Sequence, residues 1–108
     1  MKQTKPFYKN KRWINKRNII LRRDEYTCQE SKRYGPGIQG DTVHHIFPLD
    51  TYPDLAYVNW NLICMSNKYH NKMHDRLTNE ITALGEKWQK RRETEFKNKF
   101  GSPPTYKF

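Results

Sequence analysis

All four histidines of the chain fall between positions 44 and 74, as the vicinal pair His44-His45 and the spaced pair His70 and His74. Imidazole is the side chain whose ordinary pKa lets it take a proton from water near neutrality, and its neutral form is a good ligand for a borderline divalent cation. Breaking a phosphodiester needs both functions: a base to generate the nucleophile, and positive charge on the phosphate and the departing oxygen. His44, His70 and His74 offer three neutral nitrogen donors, which leaves His45 as the base. Three imidazoles suit Zn²⁺, Ni²⁺, Co²⁺ or Mn²⁺ better than Mg²⁺, which prefers oxygen.

The elements around these residues must bring them together. Val43-His44-His45-Ile46, between Gly40-Asp41 and Pro48, is a short β-favouring run, and Asn61-Leu62-Ile63-Cys64-Met65 is a second. Together they predict an antiparallel ribbon. Side chains alternate along a strand, so His44 and His45 can serve one site only where the strand ends or bends at the pair. Pro53 to Tyr57 predicts a single short helical turn. Ser66 is the expected N-cap of a helix reaching about Arg76, on which His70 and His74, four residues apart, face the same way.

Two longer helices flank this core. The first is predicted over 10–23, with Trp13, Ile14, Ile20 and Leu21 as its buried stripe. The second is predicted over 78–99, with Met73, Leu77, Ile81, Leu84 and Trp88 marking an apolar line read as core. The segment 24–41, with Gly35-Pro36-Gly37, is expected to be a loop, and 101–108 a tail without regular structure. At 108 residues the chain is read as one α+β domain, 1–108.

Its net charge is +10, and nine Lys/Arg residues precede the first acid, Asp24. With 7 Tyr, 5 Phe and 3 Trp interleaved among the basic residues, the composition points to a polyanion, most simply nucleic acid. Lys11, Arg12, Lys16, Arg17, Arg22 and Arg23 on the first helix, Lys72 and Arg76 near the histidines, and Lys90 and Arg91 on the last helix are the candidate backbone contacts. No segment is apolar enough to span a bilayer. The basic opening Met1 to Lys5 carries no apolar stretch after it, so a cytoplasmic protein without a secretion signal is expected. Two cysteines, Cys28 and Cys64, are too few for a disulfide scaffold and are expected to be buried thiols.

The order strand, loop, strand, helix, with His45, Asn61 and His70 at their spacing and His44-His45-Ile46-Phe47-Pro48-Leu49 at its opening, resembles the HNH endonucleases. The resemblance covers about 26–76 and implies a ββα-metal finger flanked by N-terminal and C-terminal helices. It implies that His45 is the general base, that His44 and His70 hold one divalent metal ion, with His74 an additional ligand, and that Asn61 braces the loop carrying the base. Phe7-Tyr8-Lys9, Trp13 and Arg23-Asp24 are similar to the lead-in of small phage-encoded members found near packaging genes. The resemblance also implies a double-stranded DNA endonuclease leaving a 5′-phosphate and a 3′-hydroxyl, acting as monomer or homodimer in the host cytoplasm, with a phage terminase or packaging protein as partner. The alternative is a catalytically silent DNA-binding or packaging-partner module that keeps the finger as scaffold. One departure from the family is plain. Where many small members hold a structural zinc with four cysteines, this chain has Cys28, Ser31, Ser66 and Tyr69, so that zinc is not expected, with a rearranged Cys28/Cys64 site as the weaker alternative.

Overall fold

Asn10 starts the first helix by accepting a 2.7 Å hydrogen bond from the Trp13 amide, one of the donors a helix N-terminus leaves orphaned. Helix α1 then runs over Lys11–Arg23 in a computed structural model that describes residues 6–107. The basic opening Met1 to Lys5 and the final Phe108 lie outside the described residues. Trp13, Ile20 and Leu21 are buried, as their spacing predicts, but Ile14 is 41% exposed. It lines an open groove, so the apolar stripe narrows at that end of the helix.

Strands β1 (Thr42–His45) and β2 (Leu62–Met65) pair antiparallel, with Thr42 opposite Met65 and His45 opposite Leu62. β1 is shifted by one residue from its predicted run, gaining Thr42 and losing Ile46, and β2 starts one residue later than predicted because Asn61 closes a 3-10 turn, Asn59–Asn61, before it. Another 3-10 turn, Pro53–Leu55, occupies the predicted helical position. All four residues of β2 are buried, because the ribbon is covered on both faces. Leu62 and Cys64 pack with Trp13, Ile20 and Leu21, while Ile63 and Met65 pack with Phe47, Leu55, Met73, Trp88 and Phe96. The period of two along β2 thus sends alternate side chains into two small cores.

The outer edge of β2 is closed by side chains. Arg23 donates to the carbonyls of Leu62 at 2.6 Å and Asn59 at 2.9 Å, and its guanidinium pairs with the Asp24 carboxylate. Asp24 accepts in turn from the Cys64 amide at 2.9 Å. Unpaired strand edges invite wrong pairing, and this couple occupies it. Arg23→Ala should therefore lower folding stability by about 1–3 kcal/mol, read as a fall in the denaturant midpoint without DNA present. An unchanged midpoint would return Arg23 to the role of a surface cation.

The segment 24–41 is more ordered than a loop. A single helical turn, α2 (Gln29–Lys32), and a bridge between Thr27 and Gln39 fold it back on itself. Gly40 then passes so close to β2 that a Cβ there would sit 2.6 Å from the Cys64 sulfur.

The largest difference from the sequence-based expectation comes after β2. Ser66 does cap a helix, accepting from the Tyr69 amide, but α3 covers only Asn67–His70. The chain then enters a turn in which the Asp75 carboxylate accepts from the amides of Leu77 and Thr78 at 2.8 and 3.0 Å, and Asn79 takes a left-handed φ of 60°. Such side-chain bonds offer the backbone an alternative to helix. A bridge between His74 and Ile81 closes the turn, and Thr82 caps the next helix. Instead of one helix over 78–99 there are α4 (Ala83–Arg91) and α5 (Glu93–Phe100), separated at Arg92. Leu77, read from its spacing as core, is 96% exposed, whereas Met73 and Trp88 are buried. Residues 101–107 have no regular structure yet are held down: Tyr106 donates to Glu93, and the Lys107 amide donates to the buried Glu86 carboxylate. Among the described residues no helix is long and apolar enough to cross a membrane.

Candidate metal and hydrolytic site

His44 lies in β1 with its ring 1% exposed, and its Nε2 has no hydrogen-bond partner among the described residues. A buried polar atom left unpaired is costly unless something is meant to meet it. The His70 ring stands 5.2 Å away, centroid to centroid, and the His74 ring 5.8 Å. Imidazole nitrogens about 2 Å from a shared ion put their ring centroids about 5 Å apart, so each of these two separations is near that of a ligating pair. Among the described residues no three His, Cys, Asp or Glu side chains, these histidines included, are gathered closely enough to hold a metal ion as they stand.

The route by which these rings meet differs from the predicted one. His70 is the last residue of α3, but His74 is not one helical turn further on; the turn after α3 and the bridge to Ile81 carry it back. Burial, and then the neighbouring imidazoles of His70 and His74, hold the His44 pKa well below the usual range. Its neutral form, the form that can ligate, therefore dominates at neutral pH.

His45 uses the other face of the strand. β1 stays paired through His45, so the two rings diverge, and the His45 ring stacks on Trp13 of α1 at 4.9 Å with 22° between the planes. Its Nε2 is 3.1 Å from the Ala56 carbonyl oxygen. A carbonyl can only accept, so Nε2 carries the hydrogen and the basic lone pair sits on Nδ1. The ring is 6% exposed, and what remains open faces the same groove that His44 lines.

Asn61 is wholly buried behind this pair. Its Oδ1 accepts from the Phe47 amide at 2.7 Å, and its Nδ2 donates to the carbonyls of Phe47 at 3.1 Å and Leu55 at 3.2 Å. One amide thus ties the residues after β1 to the turn whose next residue, Ala56, holds the His45 ring. Every strong hydrogen-bonding position of the side chain but one is used.

The groove in front of the histidines has a volume of about 1170 Å³, and its lining includes Tyr8, Ile14 and Arg17 from the N-terminal helices and Asn71, Arg76 and Asn79 from beyond α3. Of the ten basic residues singled out from the sequence, Arg17 and Arg76 line it. Arg17 also donates to the Asp41 carbonyl at 2.7 Å. Lys11 and Arg22 are exposed on α1, Arg12 lies 3.9 Å over the Tyr57 ring, and Lys16 donates to Asn59. Arg23 is engaged at the β2 edge. Lys72 lies over Tyr69, Lys90 pairs with Glu86, and Arg91 stacks on Trp88 in a separate pocket of about 280 Å³ with Lys32 and Arg33. Neither Trp13 nor the Ala56 carbonyl stands out in the sequence as a group that orients His45. An aromatic three residues after a helix cap carries a stacking signal only once its partner is known, and a backbone carbonyl carries none.

Cys28, Ser31 and Ser66 converge. Burial pushes the Cys28 thiol up, but hydrogen bonds from Ser31 and Ser66 outweigh it and leave the thiol below its usual range. Cys64 is pushed up to about 11 by burial and by the nearby Asp24 carboxylate. Both cysteines are buried and neither forms a disulfide.

No family model matches the chain, and no curated protein matches it. Among solved structures it is similar to the HNH endonuclease of the deep-sea thermophilic bacteriophage GVE2, crystallised with manganese ion. The TM-score is 0.57 at 24% sequence identity, over 88% of this chain and 83% of that one. At that identity the likeness establishes the fold: two antiparallel strands and a helix, with helices on either side.

Proposed function

We propose that the chain is a metal-dependent DNA endonuclease, in which His44, His70 and His74 hold a divalent cation and His45 activates the attacking water. The observation that carries this is the buried, unpartnered Nε2 of His44 flanked by two further imidazoles, next to a histidine whose hydrogen-bonded carbonyl directs its lone pair to Nδ1. A cation seated there would supply positive charge for the scissile phosphate and the departing oxygen. The protein's own part is orientation and proton transfer. Trp13 and Ala56 fix the His45 ring, so that Nδ1 can take a proton from water as the phosphorus–oxygen bond forms. Asn61 keeps the Ala56 turn in place. Arg17 and Arg76, which both line the groove, would contact the strand backbone near the reacting phosphate.

Double-stranded DNA with loose sequence preference is the substrate this supports, because the charge of +10 favours backbone contacts, which carry no sequence information. The manganese ion in the similar structure supports a divalent cation as cofactor. A partner in phage DNA packaging extends the same reading, supported by the phage origin of that structure. The rival reading, a DNA-binding scaffold that does not cut, draws on the small exposure of His45.

Plasmid nicking with and without chelator, across Mg²⁺, Mn²⁺, Ni²⁺ and Zn²⁺, separates the two. Nicking that chelator abolishes supports the enzyme; DNA binding without nicking under any of these ions supports the scaffold. Affinity should fall steeply with salt, and Arg17→Ala and Arg76→Ala should each reduce the slope of log K against log salt by about 1. Identical slopes for wild type and both variants would remove these arginines from the interface.

A further inference from the structure

Leu77 belongs by spacing to an apolar stripe, and the structure takes it out. Asp75 accepts from the Leu77 and Thr78 amides, its own amide donates to the Glu80 carbonyl at 2.7 Å, and the Asn79 amide donates back to the Asp75 carbonyl at 2.9 Å. The His74 to Ile81 bridge closes the base of this turn. Leu77 stands at its tip, 96% exposed, the most exposed large apolar side chain among the described residues.

A lone exposed leucine needs no special explanation. Two observations set this one apart. Asp75, Arg76 and Asn79, on both sides of Leu77 in sequence, line the histidine groove, so the turn is part of its wall. The same turn sets an apolar tip beside a cation, on a chain whose charge of +10 favours a polyanion over an apolar protein partner. Leu77 does not itself line the groove but stands out from its rim, next to Arg76.

We propose that Leu77 is a wedge that enters the minor groove of duplex DNA and separates the base step beside the phosphate held at the histidines, while Arg76 contacts the flanking backbone. This rests on the endonuclease reading of the groove and adds to it a way of presenting the bond. Apolar side chains inserted between base steps unstack them and kink the duplex. Pyrimidine–purine steps yield most readily, so cutting should favour TA and CA/TG steps without any hydrogen bond to a base. Continuing α3 through Leu77 would have turned this side chain inward, and the Asp75 turn prevents that.

The test uses a short duplex carrying 2-aminopurine at its TA steps, whose fluorescence rises when the base unstacks, and the same duplex with a mismatch at each labelled step. Leu77 is exposed, so Leu77→Ala should leave the melting temperature unchanged. Bound by His45→Ala, the matched duplex should brighten; bound by the double variant His45→Ala, Leu77→Ala, it should not. Leu77→Ala alone should cut the matched duplex about tenfold more slowly or worse, and recover most of that loss on the mismatched duplex, whose unstacking cost is already met. Equal brightening with and without Leu77, no brightening with Leu77 intact, or an equal ratio of matched to mismatched cutting in wild type and Leu77→Ala would each overturn the wedge. Failure of the wild-type chain to cut either duplex would overturn the endonuclease reading instead, and the fluorescence comparison would still decide the wedge.

Discussion

His45→Ala should slow phosphodiester cleavage by about 10²–10⁴-fold while Mn²⁺ and DNA still bind, the loss expected for removal of a positioned general base. The expectation comes from the division of labour across β1. His44 turns toward His70 and His74, whereas His45 turns toward Trp13 and hands its Nε2 hydrogen to Ala56. Nothing in that arrangement asks His45 to ligate. Single-turnover cleavage and a metal titration on the same variant make the comparison. Loss of metal binding in His45→Ala would mean that the two adjacent histidines exchange roles. The ring is also part of an aromatic cluster with Phe7, Tyr8 and Trp13, so the melting temperature of the variant should be recorded alongside. A rate loss far larger than the loss of folded protein at the assay temperature assigns the effect to chemistry.

Asn61→Ala should have the largest effect on stability, about 3–5 kcal/mol, since it strands two buried backbone groups at once and takes one donor from a third. The Phe47 amide and the Phe47 carbonyl lose their partner in a place no water reaches from the surface, and the Leu55 carbonyl keeps only the Val58 amide at 3.3 Å. Against a total of about 5–15 kcal/mol for a small domain, that is a large share. Denaturant unfolding followed by fluorescence of Trp13, Trp60 and Trp88 gives the number. A change under about 1 kcal/mol would show that Asn61 does not hold the loop. Because Leu55 precedes Ala56, residual folded variant should also cut poorly, through loss of His45 orientation and not of the cation.

The parts of this molecule that are legible in the sequence are those where one residue type carries the signal. Four histidines, Asn61 and two β-favouring runs indicate the ribbon and a candidate site on it, and Asn10 and Ser66 mark helix starts that the structure retains. Illegible are the places where side chains compete with periodicity. Leu77 and Ile81 continue an apolar line, yet the Asp75 carboxylate captures the amides of Leu77 and Thr78 and ends the helix. His74 then arrives at His44 by a bridge and not by a helical turn. Arg23 looks like one more phosphate contact in a basic segment, and only the three-dimensional edge of β2 reveals its use for the Leu62 and Asn59 carbonyls. The seat of His45 on a backbone carbonyl has no residue type to announce it.

The proposed metal-dependent cutting rests on three imidazoles, from β1, the end of α3 and the bridge beyond it, holding one ion beside a separate base. Calorimetric titration of Mn²⁺ into the wild-type chain and into His70→Ala asks this of the protein itself, because His70 is only partly buried and its loss leaves the core intact. A saturable site in the wild-type chain, lost together with cleavage in His70→Ala, is the expected result. Unchanged Mn²⁺ binding and cutting in His70→Ala would refute the shared ion.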